Sequence, residues 1–122
     1  MERTEGFSLD RSQVSSDRLA EFLQTDVVED ITSVPGIGPV AVARLASASE
    51  EDAGCRTTHQ LIGKFLSLRE PGMTTQEHLD AFWFWLQAKG ITAHRSGIVH
   101  AVSEKVDTWI PGCGPSSLVD DL

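Results

Sequence analysis

The run from Ser33 to Leu45, Ser-Val-Pro-Gly-Ile-Gly-Pro-Val-Ala-Val-Ala-Arg-Leu, constrains this chain more than any other stretch. Gly36 and Gly38 open backbone angles that other residues avoid, and Pro39 is pre-set for a first helical position. The pattern predicts a tight hairpin whose second helix begins at the hairpin itself. Ile37, between the glycines, is placed to plug the turn into a core. Val40, Ala41, Val42, Ala43 and Leu45 then predict a short apolar helix to about Ala48, small enough along one side to pack closely on its predecessor. This is a helix-hairpin-helix pattern, its first helix starting at Ile31 and Val34 with Asp30 or Thr32 as cap.

A hairpin with so little side-chain bulk, ending at a helix N-terminus, can present unpaired backbone N–H groups to an anion, and the helix dipole favours negative charge there. A DNA phosphate, read without regard to base sequence, is the natural ligand. Pro39 lacks a donor, so the contact falls to the N–H groups of Gly36, Gly38, Val40 and Ala41. The same residues also suit a glycine turn that joins two helices and binds nothing.

Charge bears on that choice. The chain of 122 residues carries a formal net charge of −8, so its whole-molecule field repels a polyanion at long range. Screening confines each charge to about 8–10 Å at physiological salt, which leaves the local face decisive. Acids gather elsewhere, at Glu2, Glu5 and Asp10, at Asp26, Glu29 and Asp30, at Glu50, Glu51 and Asp52, and at Asp120 and Asp121. Between Ile31 and Ser49 the only charged residue is Arg44. The composition, 40% hydrophobic and 23% charged, is that of a globular domain. Without a long apolar run, neither membrane insertion nor a signal peptide is expected, which puts the chain in the nucleus or cytoplasm. Cys55 and Cys113 have no metal spacing and are expected to be reduced thiols.

The remaining pattern is helical throughout. Residues 1–13 are polar and aperiodic and read as a flexible N-terminal arm, 14–110 as a helical domain and 111–122 as a C-terminal tail. Ser15 or Ser16 caps a helix to about Gln24, with Leu19, Phe22 and Leu23 as its apolar stripe. Thr57 or Thr58 caps another, buried through Leu61, Ile62, Phe65, Leu66 and Leu68, with Gly63 marking a close helix contact. Thr74 or Thr75 starts a third, which Lys89 and Gly90 close. Thr92 caps a last helix from about Ala93 to Trp109, its inward positions Ile98, Val99, Val102, Val106, Trp109 and Ile110. The fold class is therefore all-α, with no strand pattern.

Phe82, Trp83, Phe84 and Trp85 cannot share one helix face, because residues step by about 100°. Some must point out of the monomer's own core, and an exposed patch of that size predicts a homodimer, most simply two-fold. The alternative is a partly exposed aromatic or two, or a long loop folded over them. The test chosen from sequence is replacement of Trp83 and Phe84 by polar residues, which predicts a monomer.

From Val14 to Ile110 the chain resembles the barrier-to-autointegration factor family, small eukaryotic DNA-bridging proteins. Three blocks in order carry the resemblance: Ser33 to Leu45 with Gly36, Ile37 and Gly38; Leu61, Gly63, Phe65, Leu66 and Leu68; and Phe82, Trp85 and Leu86 followed, after Gly90, by the helix from Ala93. The resemblance implies a compact five-helix, SAM-like fold containing the helix-hairpin-helix, a two-fold homodimer, and double-stranded DNA held by each subunit so that the dimer bridges two duplexes. It implies phosphate contacts from Gly36, Ile37, Gly38, Val40 and Ala41, from Asp17 or Arg18, and from Ala93, His94 and Arg95. It further implies LEM-domain proteins as partners and a part in chromatin and nuclear organisation.

No catalytic or metal spacing competes with this. His94 and His100 stand about 600° apart around a helix and share no face, so no metal or other cofactor is expected. No serine, cysteine and histidine set has catalytic spacing, and the carboxylates lie in solvated runs, so no enzyme is expected. His94 beside a phosphate gains charge as pH falls, strengthening the contact. A second reading keeps the fold and makes the chain a protein-interaction adaptor with a degenerate DNA surface. The net charge favours it, as does Gly97 at a position that is basic in the family.

Overall fold

Hydroxyl side chains open three of the five helices in the computed structural model, which describes residues 5–26, 30–47 and 54–116. Ser15 Oγ accepts from the Arg18 N–H (3.1 Å) and opens α1, Ser16–Gln24. Thr57 with Gln60, and Thr74 with Glu77, form reciprocal capping boxes that open α3, Thr58–Ser67, and α4, Thr75–Ala88. The remaining helices are α2, Pro39–Ala46, and α5, Arg95–Asp107. Two short 3-10 turns, Leu9–Arg11 and Ile31–Ser33, complete the regular structure. The protein is all-α, with five helices and no strand among the described residues.

The hairpin's first arm is the 3-10 turn Ile31–Ser33, where the sequence predicts a helix. Asp30 explains the stop: its Oδ1 accepts from both the N–H (2.9 Å) and the hydroxyl (2.8 Å) of Thr32, a local bond that competes with helix continuation. Pro35 then disfavours helical angles at Val34. The last helix also begins later than Thr92. His94, with φ of 62° in the left-handed region, is the N-cap.

α5 is the central helix, packed by α1, α3, α4 and the first 3-10 turn. Ile98, Val99, Ala101, Val102 and Val106 are fully buried, and only Arg95, His100, Glu104 and Asp107 of this helix are partly exposed. Phe22, Leu45, Leu61, Phe65, Leu79, Phe82 and Leu86 close around it. Lys105 joins this core and donates through Nζ to the carbonyls of Phe22 (2.7 Å) and Thr25 (2.6 Å), closing the C-terminus of α1 with a cation. Trp109 and Ile110, predicted inward, lie past the end of α5 and are exposed. Gly63, predicted at a helix contact, faces open space.

Residues outside the predicted helical core are docked onto it. Phe7 is buried in the core, its N–H donating to Asp80 Oδ1 (2.8 Å) and its carbonyl accepting from Gln76 Nε2 (3.2 Å). Ser12 Oγ meets His100 Nδ1 at 2.8 Å. At the other end Asp107 Oδ1 accepts from the N–H groups of Gly112, Cys113 and Gly114 (2.9, 3.0 and 3.0 Å) and folds residues 111–116 against α5. Cys55 and Cys113 are buried, and Cys55 Sγ lies 3.7 Å from the Gln60 carbonyl. The acids at positions 2, 29, 50–52 and 120–121, and the tail beyond Ser116, lie outside the described residues.

The docked N-terminal residues change the reading of the aromatic run. Trp83 is 2% exposed, with the Arg11 guanidinium 5.7 Å and the Arg95 guanidinium 4.3 Å from its ring centre. It is covered by its own chain and does not face outward. Phe82 is in the core, and Trp85 packs half-buried against it between Lys64 (5.5 Å) and Lys89 (5.8 Å). Only Phe84, 42% exposed, points away. No helix among the described residues is long and apolar enough to cross a membrane.

Candidate nucleic-acid interface

The hairpin is built from one β-turn and one uncapped helix start. Val34, Pro35, Gly36 and Ile37 form the turn, closed by the Ile37 N–H donating to the Val34 carbonyl (3.2 Å). Gly36 has φ of 93°, which with Pro35 before it is the type II arrangement that requires glycine. Space requires it as well: a β-carbon on Gly36 would lie 3.1 Å from His94 Cβ and 3.1 Å from Ile98 Cγ1. Ile37 is 6% exposed and plugs the core as its position predicts.

Gly38 differs from its partner. Its backbone, φ −106° and ψ −170°, is extended and open to any residue, and nothing lies within 4 Å of a β-carbon placed on it. Its missing side chain keeps the surface bare; it does not shape the turn. Gly38 is also the N-cap of α2 and offers no capping oxygen. The first intrahelical bond is Val42 N–H to the Gly38 carbonyl (3.0 Å), so the N–H groups of Val40 and Ala41 precede the ladder, and Pro39 has none. Val40 is 72% exposed, which sets this end of the helix in solvent.

Two adjoining clefts meet at the turn and share Gly36 and His94. One, of about 410 Å³, runs between the hairpin, the start of α1 at Ser15 and Arg18, and α5 at Gly97. The other, of about 340 Å³, is lined by Gly38, Val40 and Ala41 on one side and Ala93 and His94 on the other. The hairpin, the first turn of α1 and the start of α5, far apart in sequence, thus border one surface. Arg18 is held there by its Nη2, which donates to the Ser33 carbonyl (2.8 Å). His94 reaches it through its left-handed backbone, which turns the chain directly against Gly36.

Three predicted contributors stand differently. The Ile37 N–H is engaged inside the turn and is not a donor to a ligand. Arg95 lines neither cleft: its Nη1 donates to the Ile91 carbonyl (2.8 Å) and its guanidinium lies on Trp83. Asp17 lines neither cleft, so Arg18 is the residue of that pair at the site. Gly97, where the resemblance leads one to expect a basic residue, is pressed by Val14, whose Cγ2 would sit 3.2 Å from an added β-carbon. The sequence reading missed Lys89, taken only as a helix terminator. Its Nζ donates to the Ser47 carbonyl (2.6 Å) and brings a second cation beside Arg44 on the far flank of α2. No family model, no curated protein and no solved structure matches this chain.

Proposed function

We propose that the chain binds double-stranded DNA without regard to sequence, through the helix-hairpin-helix surface around Gly36, Gly38, Val40 and Ala41, and that a homodimer bridges two duplexes. One observation supports this reading: the uncapped, solvent-facing start of α2 and Arg18 border adjoining clefts that share His94, and none of the described residues lining those clefts is acidic. Backbone donors and the helix dipole favour a phosphate there, and a phosphate carries no sequence information. Phe84, exposed beside Trp85, supplies the aromatic face for a two-fold contact. A chromatin-organising role in the nucleus or cytoplasm, with LEM-domain-like partners, extends the same reading by family resemblance.

The test is fluorescence anisotropy of a labelled random duplex, titrated at several salt concentrations beside Gly38→Glu. Wild-type binding is expected to weaken steeply with salt. The variant, which puts a carboxylate into open space at the phosphate position, is expected to lose it. Salt-insensitive binding, or a folded variant that binds as the wild type does, refutes the proposal. The engagement of Arg95 with Trp83 favours the second reading, an adaptor on the same fold; a stable dimer silent toward DNA at low salt would select it.

A further inference from the structure

We infer that a small pocket at the start of α5, with Trp83 against it, is a site for a single oxyanion of the phosphate class. The site is separate from the hairpin amides and does not rest on the DNA-binding reading above. The pocket, about 140 Å³, is lined by Arg11, Trp83, Thr92, His94, Arg95 and Ser96. Pockets for organic ligands run from about 300 Å³ upward, so this one suits an ion better than a nucleoside. Elements far apart in sequence build it. The docked N-terminal residues around Arg11 give one wall, and the left-handed turn at His94 brings the first turn of α5 to the other.

Its lining offers donors that the fold leaves unused. Trp83 is 2% exposed, yet its indole N–H donates to none of the described residues, whereas a buried indole N–H ordinarily finds an acceptor. Among the described residues His78 Nδ1 is the one fully enclosed side-chain atom without a partner, so the Trp83 N–H keeps an opening, and the pocket lies against this ring. The Arg95 guanidinium stands 4.3 Å over the Trp83 ring centre and gives one Nη1 proton to the Ile91 carbonyl (2.8 Å). Its Nε and Nη2 edge, the fork that matches two oxygens of an oxyanion, donates to no described residue. Ser96, 5% exposed, accepts from the Ser8 N–H (3.3 Å) through Oγ and keeps its hydroxyl proton to give. His94 caps α5 without a side-chain bond, and the first intrahelical bond is Ile98 N–H to the His94 carbonyl (2.9 Å). The amides of Arg95 and Ser96 therefore precede the ladder, at the positive end of a 13-residue helix. Arg11 is held by the Gly6 carbonyl and serves as wall only. Asp80, one turn before Trp83 on α4, accepts from the Phe7 N–H and from Gln76 Nε2. A phosphate brings several acceptor oxygens and negative charge to one point, which is what an indole N–H, a guanidinium edge, a hydroxyl and a helix start side by side can bind.

The experiment is a titration of the full chain with sodium phosphate, against sodium chloride at matched ionic strength and pH, read in nitrogen–proton correlation spectra. Replacing Trp83 by Phe assigns its indole signal. Under phosphate the Trp83 indole and the Arg95 and Ser96 amides are expected to shift along one saturating curve, while the indoles of Trp85 and Trp109, outside the pocket, stay in place. Arg95→Gln removes the fork and should weaken phosphate about tenfold or more, the loss of a hydrogen bond to a charged group. Arg95→Lys, which keeps the charge without the fork, should fall between. The same spectra show whether each variant is folded. A random duplex added to the phosphate-saturated protein separates the two sources of this chemistry: a Trp83 signal driven from its phosphate-bound position marks the DNA backbone as occupant, and one that holds marks a free ion. A Trp83 indole that responds to phosphate no differently than to chloride, as in a pocket filled by water, overturns the inference. So does a saturating shift that a folded Arg95→Gln leaves unchanged. Neither result touches the hairpin reading, which Gly38→Glu tests by itself.

Discussion

Gly36 and Gly38 occupy equivalent places in the sequence pattern, yet alanine should destabilise the protein at the first and leave it nearly unchanged at the second. At Gly36 alanine meets two costs. A β-carbon in the left-handed half of the map costs about 1–2 kcal/mol. Crowding against His94 Cβ and Ile98 Cγ1, both 3.1 Å away and one of them on the central helix, adds about 1–3 kcal/mol. The sum, roughly 2–5 kcal/mol, lowers the melting temperature of a domain this size by on the order of 10 °C or more. At Gly38 the backbone is extended and the space open. Alanine is a poorer N-cap than glycine by about 1 kcal/mol or less, whereas restricting the unfolded chain returns about 0.4–1 kcal/mol. These terms cancel, and the melting temperature should stay within a few degrees of wild type. Thermal and urea melts followed by far-ultraviolet circular dichroism measure both. Equal destabilisation by the two alanines would show that the backbone and space distinction drawn between them is wrong. The contrast also protects the binding test, because a Gly38→Glu protein that folds normally makes any loss of DNA affinity a property of the surface.

Two further predictions concern the core. His78 is fully buried, Nε2 lying 2.7 Å from the Phe65 carbonyl and Nδ1 without a partner, and burial holds its pKa below the ordinary 6.5, against the raising effect of the Phe65 bond. The folded protein therefore resists a proton that the unfolded chain accepts. Stability is intact above pH 6.5 and falls below it, by at most about 1.4 kcal/mol per pH unit for this group, until the folded pKa is passed. Urea midpoints between pH 7.5 and 5 should show the fall, and His78→Gln should flatten it, leaving a residue from His100, whose pKa burial also lowers; an unaltered slope in the variant would exonerate His78. For the aromatic run, Phe84→Glu should give a monomer by light scattering with an unchanged melt. Trp83→Ala should instead destabilise by about 3–5 kcal/mol, as a buried indole does; a Trp83→Ala protein that melts normally contradicts its burial beneath Arg11 and Arg95.

What could be read from the sequence is what local chemistry decides. Ser15, Thr57 and Thr74 cap helices through bonds to residues three positions on, and Pro35 with Gly36 specifies its turn through neighbours alone. The periodicity of Leu61, Ile62 and Phe65 gives a buried face for the same reason. What escaped depends on distant partners. Phe7 stands alone in an aperiodic polar run, and its burial is set by Asp80 and Gln76. The cover over Trp83 comes from Arg11 near one end of the chain and Arg95 on another helix. At the candidate surface, Arg18 was named only by the family resemblance, whereas the hairpin glycines were legible because a motif marks them. Lys89 was not, since only the packing of α4 beside α2 brings its ammonium to Ser47.

The negative net charge and the proposed phosphate site are compatible because they act over different distances. A formal charge of −8 sets the field felt by a duplex several screening lengths away and slows its approach. At contact, within about 8–10 Å, the nearest groups dominate. Along the two clefts that meet at the hairpin these are Arg18 and His94, together with the amides of Val40 and Ala41, and none of the described lining residues is acidic. A surface of this kind has few cations to trade for counterions, so it must rely on fixed donors at a helix start for much of its hold. That dependence is why a single carboxylate at Gly38 should outweigh the loss of any one basic side chain. On the proposed reading, the first-turn donors that a serine at position 38 would have satisfied are left for the ligand.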